Sequence, residues 1–197
     1  TPFGADPSGR YFIPLATPMA IAAAAALAEW RSRLASRWVY AGVAVAVAFN
    51  LWGTIQCARA NPPGITTQFD AVTQIDHRYD AALEGFLDSA GESRGYSTYW
   101  VAYPLAFLSG ERLVFVPRLP YHLDFRYTPR DDRYPAYDDA VAGAPRAAYI
   151  TARHPELDAR LRVAFLALRV AWQETQIGDF HVFYALSRKV TPEEIGL

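Results

Sequence analysis

The densest set of groups able to do chemistry is the stretch DFRYTPRDDRYPAYDDA, Asp124 to Ala140. Asp131 and Asp132 lie between Arg130 and Arg133, Asp138 and Asp139 open what reads as a helix, and Tyr121, Tyr127, Tyr134 and Tyr137 surround them. One chemistry that fits is a sugar site, with a carboxylate pair for proton transfer and aromatic faces for stacking. The plainer reading is a solvated loop whose charges pair among themselves, its last acids well placed at a helix N-terminus. Spacing does not set the carboxylate separation, so the plainer reading takes precedence. The four tyrosines stand as candidate sugar- or acceptor-contact residues.

A second candidate is Arg10, which directly precedes an uncharged run in SGRYFIPLATPMAIAAAAALAEW, Ser8 to Trp30. A guanidinium at a membrane edge can grip a lipid phosphate with two hydrogen bonds. It can also simply anchor a helix end by reaching toward headgroups, and spacing alone favours the anchor. Tyr11 beside it either positions the arginine or serves as an interface aromatic. The sequence has no glycine-rich phosphate loop and no HExxH. His77, His122, His154 and His181 are too scattered for a metal-ligand pattern. The single cysteine, Cys57, allows no internal disulfide and carries no nucleophile signature. No catalytic residue, metal ligand or cofactor site is assigned.

The elements that must position these groups fall into two parts. No charged residue occurs from Phe12 to Ala28, nor from Trp38 to Ala58. A membrane-spanning helix needs roughly 17–25 mostly apolar residues, so the runs predict transmembrane helices over about 12–29 and 38–58. Trp30, Trp38, Tyr40 and Trp52 flank them as headgroup-level rings, and Pro14 and Pro18 fall in the first turns. The joint RSRLASR holds Arg31, Arg33 and Arg37, against one nearby arginine on each outer flank, Arg10 and Arg59. The positive-inside rule puts the joint in the cytoplasm and everything after Arg59 outside. With Thr1 first and no basic region or cleavage site ahead, the first run does not read as a signal peptide. The chain reads as a portion of a longer protein.

The 197 residues carry a formal net charge of −1, which argues against a nucleic-acid partner. After the linker ANPPGITTQ, a helix is expected over Phe69 to Ala90, with Val72, Ile75, Tyr79, Leu83, Phe86 and Leu87 at helical spacing. Then come GYSTYW as a strand, VAYPLAFLSG as a short helix, RLVFVP as a strand and the polar loop. A helix near 136–144, the strand RAAYIT, a helix over about 155–170 and two strands joined at Gly178–Asp179 close the chain. The expected fold is therefore a transmembrane α-helical hairpin (1–59) followed by a small three-layer α/β domain (60–197). Its sheet is mainly parallel with a C-terminal antiparallel hairpin.

These residues carry a resemblance. DPSGRYFIPLATPMAI, Asp6 to Ile21, resembles the end of the membrane domain in GT-C-type polytopic glycosyltransferases of bacteria, protein mannosyltransferase-like and aminoarabinose-transferase-like enzymes. GYSTYWVAYPLAFLSGERLVFVP and RYPAYDDAVAGAPRAAYI resemble the extracytoplasmic C-terminal domain of some members. The resemblance implies transfer of a sugar from a polyprenyl-phosphate donor to an acceptor on the outer face. It implies a multi-pass cell-membrane protein whose N-terminal membrane part is this region's partner. The family's catalytic acid lies in an early outer loop that this sequence does not contain, so this portion is expected to be inactive alone. Arg10, helped by Tyr11, is the residue it would place on the lipid phosphate. The alternative is a membrane-anchored extracytoplasmic module that binds carbohydrate or protein without catalysis.

Overall fold

The computed structural model describes residues 15–33, 36–60 and 73–197, and the chain divides into two units, Thr1–Pro62 and Pro63–Leu197. In the first unit α1 spans Ala16–Arg33 and α2 spans Ser36–Ala60. Among the described residues one helix, Arg37–Ala60, is long and apolar enough to cross a membrane. Its 24 residues rise about 36 Å at ~1.5 Å each, more than the ~30 Å hydrocarbon core. Val43, Val45, Val47, Phe49, Leu51, Trp52 and Ile55 are all exposed, so the helix is apolar around its circumference. Its polar residues satisfy themselves: the Asn50 amide donates to the Ala46 carbonyl at 2.8 Å and the Thr54 hydroxyl to the Asn50 carbonyl at 2.9 Å. Such back-bonding gives each of the two side chains one partner within the helix. The charge-free part of α1, Ala16 to Ala28, rises only about 20 Å; residues 12–14 of the expected first span lie outside the described ones.

The second unit is built on a five-stranded sheet. Its elements are α3 (Asp80–Ala90), β1 (Arg94–Ser97), α4 (Tyr99–Leu108), β2 (Val114–Val116), α5 (Pro135–Ala142), β3 (Ala148–Ala152), α6 (Pro155–Ala167), β4 (Gln173–Ile177) and β5 (Phe180–Tyr184). The strand order is β2-β1-β3-β5-β4. β1 runs parallel to both β2 and β3, while β5 pairs antiparallel with β3 and β4. The expected mixed sheet is thus present, parallel on one side and closed by the antiparallel hairpin at Gly178–Asp179.

Alternation along the strands fills two cores. Tyr96, Val114, Val116, Tyr149 and Phe183 point to the side covered by Val141 of α5 and Leu157, Leu161 and Phe165 of α6. Phe115, Ala148, Ile150, Phe180 and Val182 point to the side covered by Leu83 and Leu87 of α3 and Val101, Ala102 and Leu105 of α4. At Gly95 the sheet leaves no room for a side chain: a Cβ there would lie 2.0 Å from the Ala148 carbonyl oxygen. β1 leaves through α4 on one face, whereas its neighbour β3 leaves through α6 on the other. Connections that diverge in this way mark where open α/β sheets place ligands, outside the carboxyl ends of the strands.

Two boundaries differ from the sequence reading. The first helix of the unit begins at Asp80 instead of Phe69; residues 69–72 lie outside the described ones, and Asp76 stops a helix from running through 73–79. Its carboxylate accepts from the Arg78 amide at 3.1 Å, and its own amide donates to Asp179 Oδ2 at 2.9 Å, bonds that a helical backbone could not keep. Likewise GYSTYW splits, β1 ending at Ser97 and Tyr99 and Trp100 opening α4.

Candidate functional site

The loop from Pro117 to Tyr134 is tied down over the carboxyl ends of β1 and β3. The Leu119 amide donates to the Ser97 carbonyl at 3.0 Å. His154, the N-cap of α6, accepts from the Leu157 amide at Nδ1 (3.3 Å), so Nε2 carries the proton and donates to the His122 carbonyl at 3.1 Å. The Tyr103 hydroxyl donates to the Asp131 carbonyl at 3.0 Å and accepts from the Arg133 amide at 2.7 Å. The stretch read as a solvated loop is therefore anchored by helix and strand ends at both of its flanks.

This anchoring gathers aromatic rings. Tyr121 lies 4.3 Å from His122 and 6.0 Å from Trp100; Trp100 meets Tyr99 at 5.1 Å, Tyr99 meets Tyr103 at 5.3 Å, Tyr103 meets Tyr137 at 6.2 Å, and Tyr137 meets Tyr134 at 4.9 Å. Every ring in this band is at least partly exposed, and Arg133 sits over the Tyr99 face at 4.9 Å. Three of the four sequence-predicted tyrosines, Tyr121, Tyr134 and Tyr137, thus belong to one surface. Tyr127 does not: its environment is that of Arg118 and Asp132. Tyr99, Trp100 and Tyr103 went unpredicted, although their i, i+4 spacing puts Tyr99 and Tyr103 on one helical face. Burial raises the hydroxyl pKa of Tyr103, Tyr121 and Tyr127. That of Tyr137 is pushed up to about 12 by burial and by its bond to Glu111. Tyr103, Tyr121 and Tyr137 spend their hydroxyl protons within the unit, so a sugar ring or a protein side chain would meet their ring faces.

The carboxylates do not form a glycosidase pair. Arg118 binds Asp132 at 3.2 Å and Asp138 at 2.6 Å, so both acids converge on one guanidinium. Burial, and then the adjoining Asp138, raises the pKa of Asp132. Hydrolytic pairs need roughly 5–9.5 Å between carboxyl groups free to reach the substrate, and these two are drawn onto the same guanidinium. Asp131 is buried, its pKa raised by burial and lowered in part by the Tyr121 hydroxyl bonded to it.

The histidines are used for packing and pairing. His77 Nδ1 lies 2.8 Å from Asp80, and His181 lies 3.0 Å from Asp158 and 3.4 Å from Glu174. Buried Thr151 donates to the other oxygen of Asp158. Among the described residues no group of three or more His, Cys, Asp or Glu is placed to hold a metal ion. Cys57 is exposed on α2. Arg10 and Tyr11 lie outside the described residues. No family model, curated protein or solved structure matches the chain.

Proposed function

We propose that this chain is the C-terminal portion of a membrane glycosyltransferase that moves a sugar from a polyprenyl-phosphate donor to an acceptor on the outer face of the membrane. The observation that carries the reading is the half-exposed aromatic band, which falls on the stretches resembling the outer domain of such enzymes. The apolar helix Arg37–Ala60 supports it. In this reading the protein is multi-pass, with spans over about 12–29 and 38–58 and the α/β unit outside the cell. Arg10, with Tyr11 beside it, offsets charge on the departing lipid phosphate, an electrostatic role. The acid that deprotonates the acceptor belongs to the N-terminal membrane part, and the band shapes the acceptor's approach.

The test is Arg10→Ala in the full-length enzyme, with membrane insertion followed alongside transfer. Loss of one such charge-stabilising donor lowers turnover about 10²–10³-fold, with insertion unchanged. Unaltered transfer kinetics would overturn the role of Arg10 and leave it a helix anchor.

A second reading is a membrane-anchored module that binds carbohydrate or protein without catalysis. The convergence of Asp132 and Asp138 on one guanidinium favours it, because it ties these two acids of the loop into an ion-pair cluster. The coding sequence upstream of Thr1 separates the two: many further spans with an early acidic outer loop support the transferase, and an immediate start codon supports the module.

A further inference from the structure

The fold leaves one side of α4 uncovered. The helix has no charged residue, and it buries Val101, Ala102, Leu105 and Ala106. The positions between them come in pairs every four residues, Tyr99 and Trp100, Tyr103 and Pro104, Phe107 and Leu108, and so share the outward side. The first four are half-exposed, Leu108 is 53% exposed and Phe107 83%. A helix face in water ordinarily carries polar and charged groups. A single exposed Phe is commonplace, but here apolar and aromatic side chains fill three successive turns. Charges stand at the edges. Arg133 lies over the Tyr99 ring at 4.9 Å at one end. At the other, Glu111 accepts from the Tyr137 hydroxyl at 3.0 Å and Arg112 pairs with Asp88 at 2.7 Å.

The chain itself decides what lies within reach of this face. Twelve residues separate Ala60, the end of the apolar helix α2, from Thr73. Such a segment spans at most about 45 Å. With α2 across a bilayer, the α/β unit is therefore held beside the lipid surface at high local concentration, an advantage that a soluble partner lacks. We infer that the outward side of α4 docks the unit on the lipid surface. α4 lies in the plane of the interface, with Phe107 and Leu108 entering the boundary between headgroups and acyl chains. Tyr99, Trp100 and Tyr103 sit among the headgroups, where rings with polar tips are at home, and Arg133 faces lipid phosphates. On the other side of the sheet α6 also exposes Val163 and Leu166, but Arg160, Arg162 and Arg169 interrupt that surface. The inference rests on the membrane part of the reading above, the span by α2, and not on sugar transfer.

The test uses the full chain, carrying Cys57→Ser, in vesicles of phosphatidylcholine and phosphatidylglycerol in equal parts. A nitroxide is attached in turn at Phe49→Cys of α2, Leu108→Cys of α4 and Val163→Cys of α6. Its collisions with lipid-soluble oxygen and with a water-soluble nickel chelate report its depth. The Phe49 and Leu108 labels meet oxygen preferentially, and the Val163 label meets the chelate. Adding Phe107→Asp, at a position too exposed to disturb the core, shifts the docking equilibrium seen by the Leu108 label toward water about tenfold or more. A Leu108 label in water with the Phe49 label in lipid overturns the docking and leaves the span standing. Both labels in water overturn the docking and the membrane reading together. A Val163 label in lipid, or a Leu108 label indifferent to Phe107→Asp, overturns the choice of face. Spin–spin broadening at Leu108 that Phe107→Asp abolishes gives the face to a second copy of the chain and overturns the lipid assignment. Because no transfer is measured, the outcome is separate from that of the Arg10 experiment.

Discussion

On the α3–α4 side of the sheet the buried side chains are almost all aliphatic, Ile75, Leu83, Leu87, Val101, Leu105, Leu113, Ile150 and Val182, with Phe115 and Phe180 the exceptions. On the α5–α6 side four of the fifteen buried residues are aromatic, Tyr96, Tyr149, Phe165 and Phe183, and polar groups are buried beside them. The Tyr149 hydroxyl donates to the Val190 carbonyl at 2.9 Å, and Thr151, Asp158 and His181 form a chain under α6. Aliphatic packing has no directional demands, so the first face stabilises without specifying anything about a ligand. Phenols, carboxylates and imidazoles must each be given a partner when buried, and on this face Tyr149, Asp158 and His181 find theirs within the fold. The comparison assigns mainly non-directional packing to one face and more of the directional bonding to the other.

The comparison breaks most severely if Gly95→Ala is tolerated. Its Cβ would meet the Ala148 carbonyl oxygen at 2.0 Å and the Phe115 ring at 2.7 Å, and a backbone oxygen has nowhere to go. The expected loss exceeds about 4 kcal/mol, read as failure to reach a cooperative urea transition. Leu87→Ala, a truncation at a fully buried position on the aliphatic face, costs about 2–5 kcal/mol in the same assay. A smaller value would mean that this face yields to truncation and is not the stabilising one. On the other face Asp158→Asn keeps the volume but weakens bonds to both Thr151 and His181. It costs about 1–3 kcal/mol, read in the same urea assay.

The smallest effect is a pH dependence near α3. The hydrogen bond that His77 Nδ1 donates to the Asp80 carboxylate raises the pKa of His77, against a smaller opposing effect of burial. A histidine whose folded pKa lies above its unfolded value, about 6.5, adds stability in full below that value and loses it as pH rises through the folded one. Wild-type stability therefore declines slightly from about pH 5.5 to about pH 8.5 through this group. His77→Gln removes that component of the slope, measured by urea midpoints at the two pH values. An unchanged slope would show that the pair is fully screened by solvent.

Local pattern revealed much of this fold before any coordinates. The Gly178–Asp179 turn between two β-rich runs announced the hairpin, and the helical spacing of Leu83 and Leu87 announced α3. The start of α3 was hidden because Asp76 is held by Asp179, a partner 103 residues away. The site was legible only as a list of tyrosines. That Tyr121, Tyr134 and Tyr137 share a surface with Tyr99, Trp100 and Tyr103 depends on α4 packing beside the loop.

The bonds that obscured the start of α3 have a mechanical consequence. The first described residues of the unit are clasped to its last hairpin and to the end of β3: Asp76 to Asp179, the Tyr79 ring against Gly178, and the Gln74 carbonyl to the Arg153 guanidinium at 2.6 Å. Tension arriving along the chain ahead of Thr73 would load this clasp before it reached α3 or the parallel strands. The same clasp delays closure during synthesis, because the leading segment waits for nearly the entire unit to emerge before its partner at Asp179 exists.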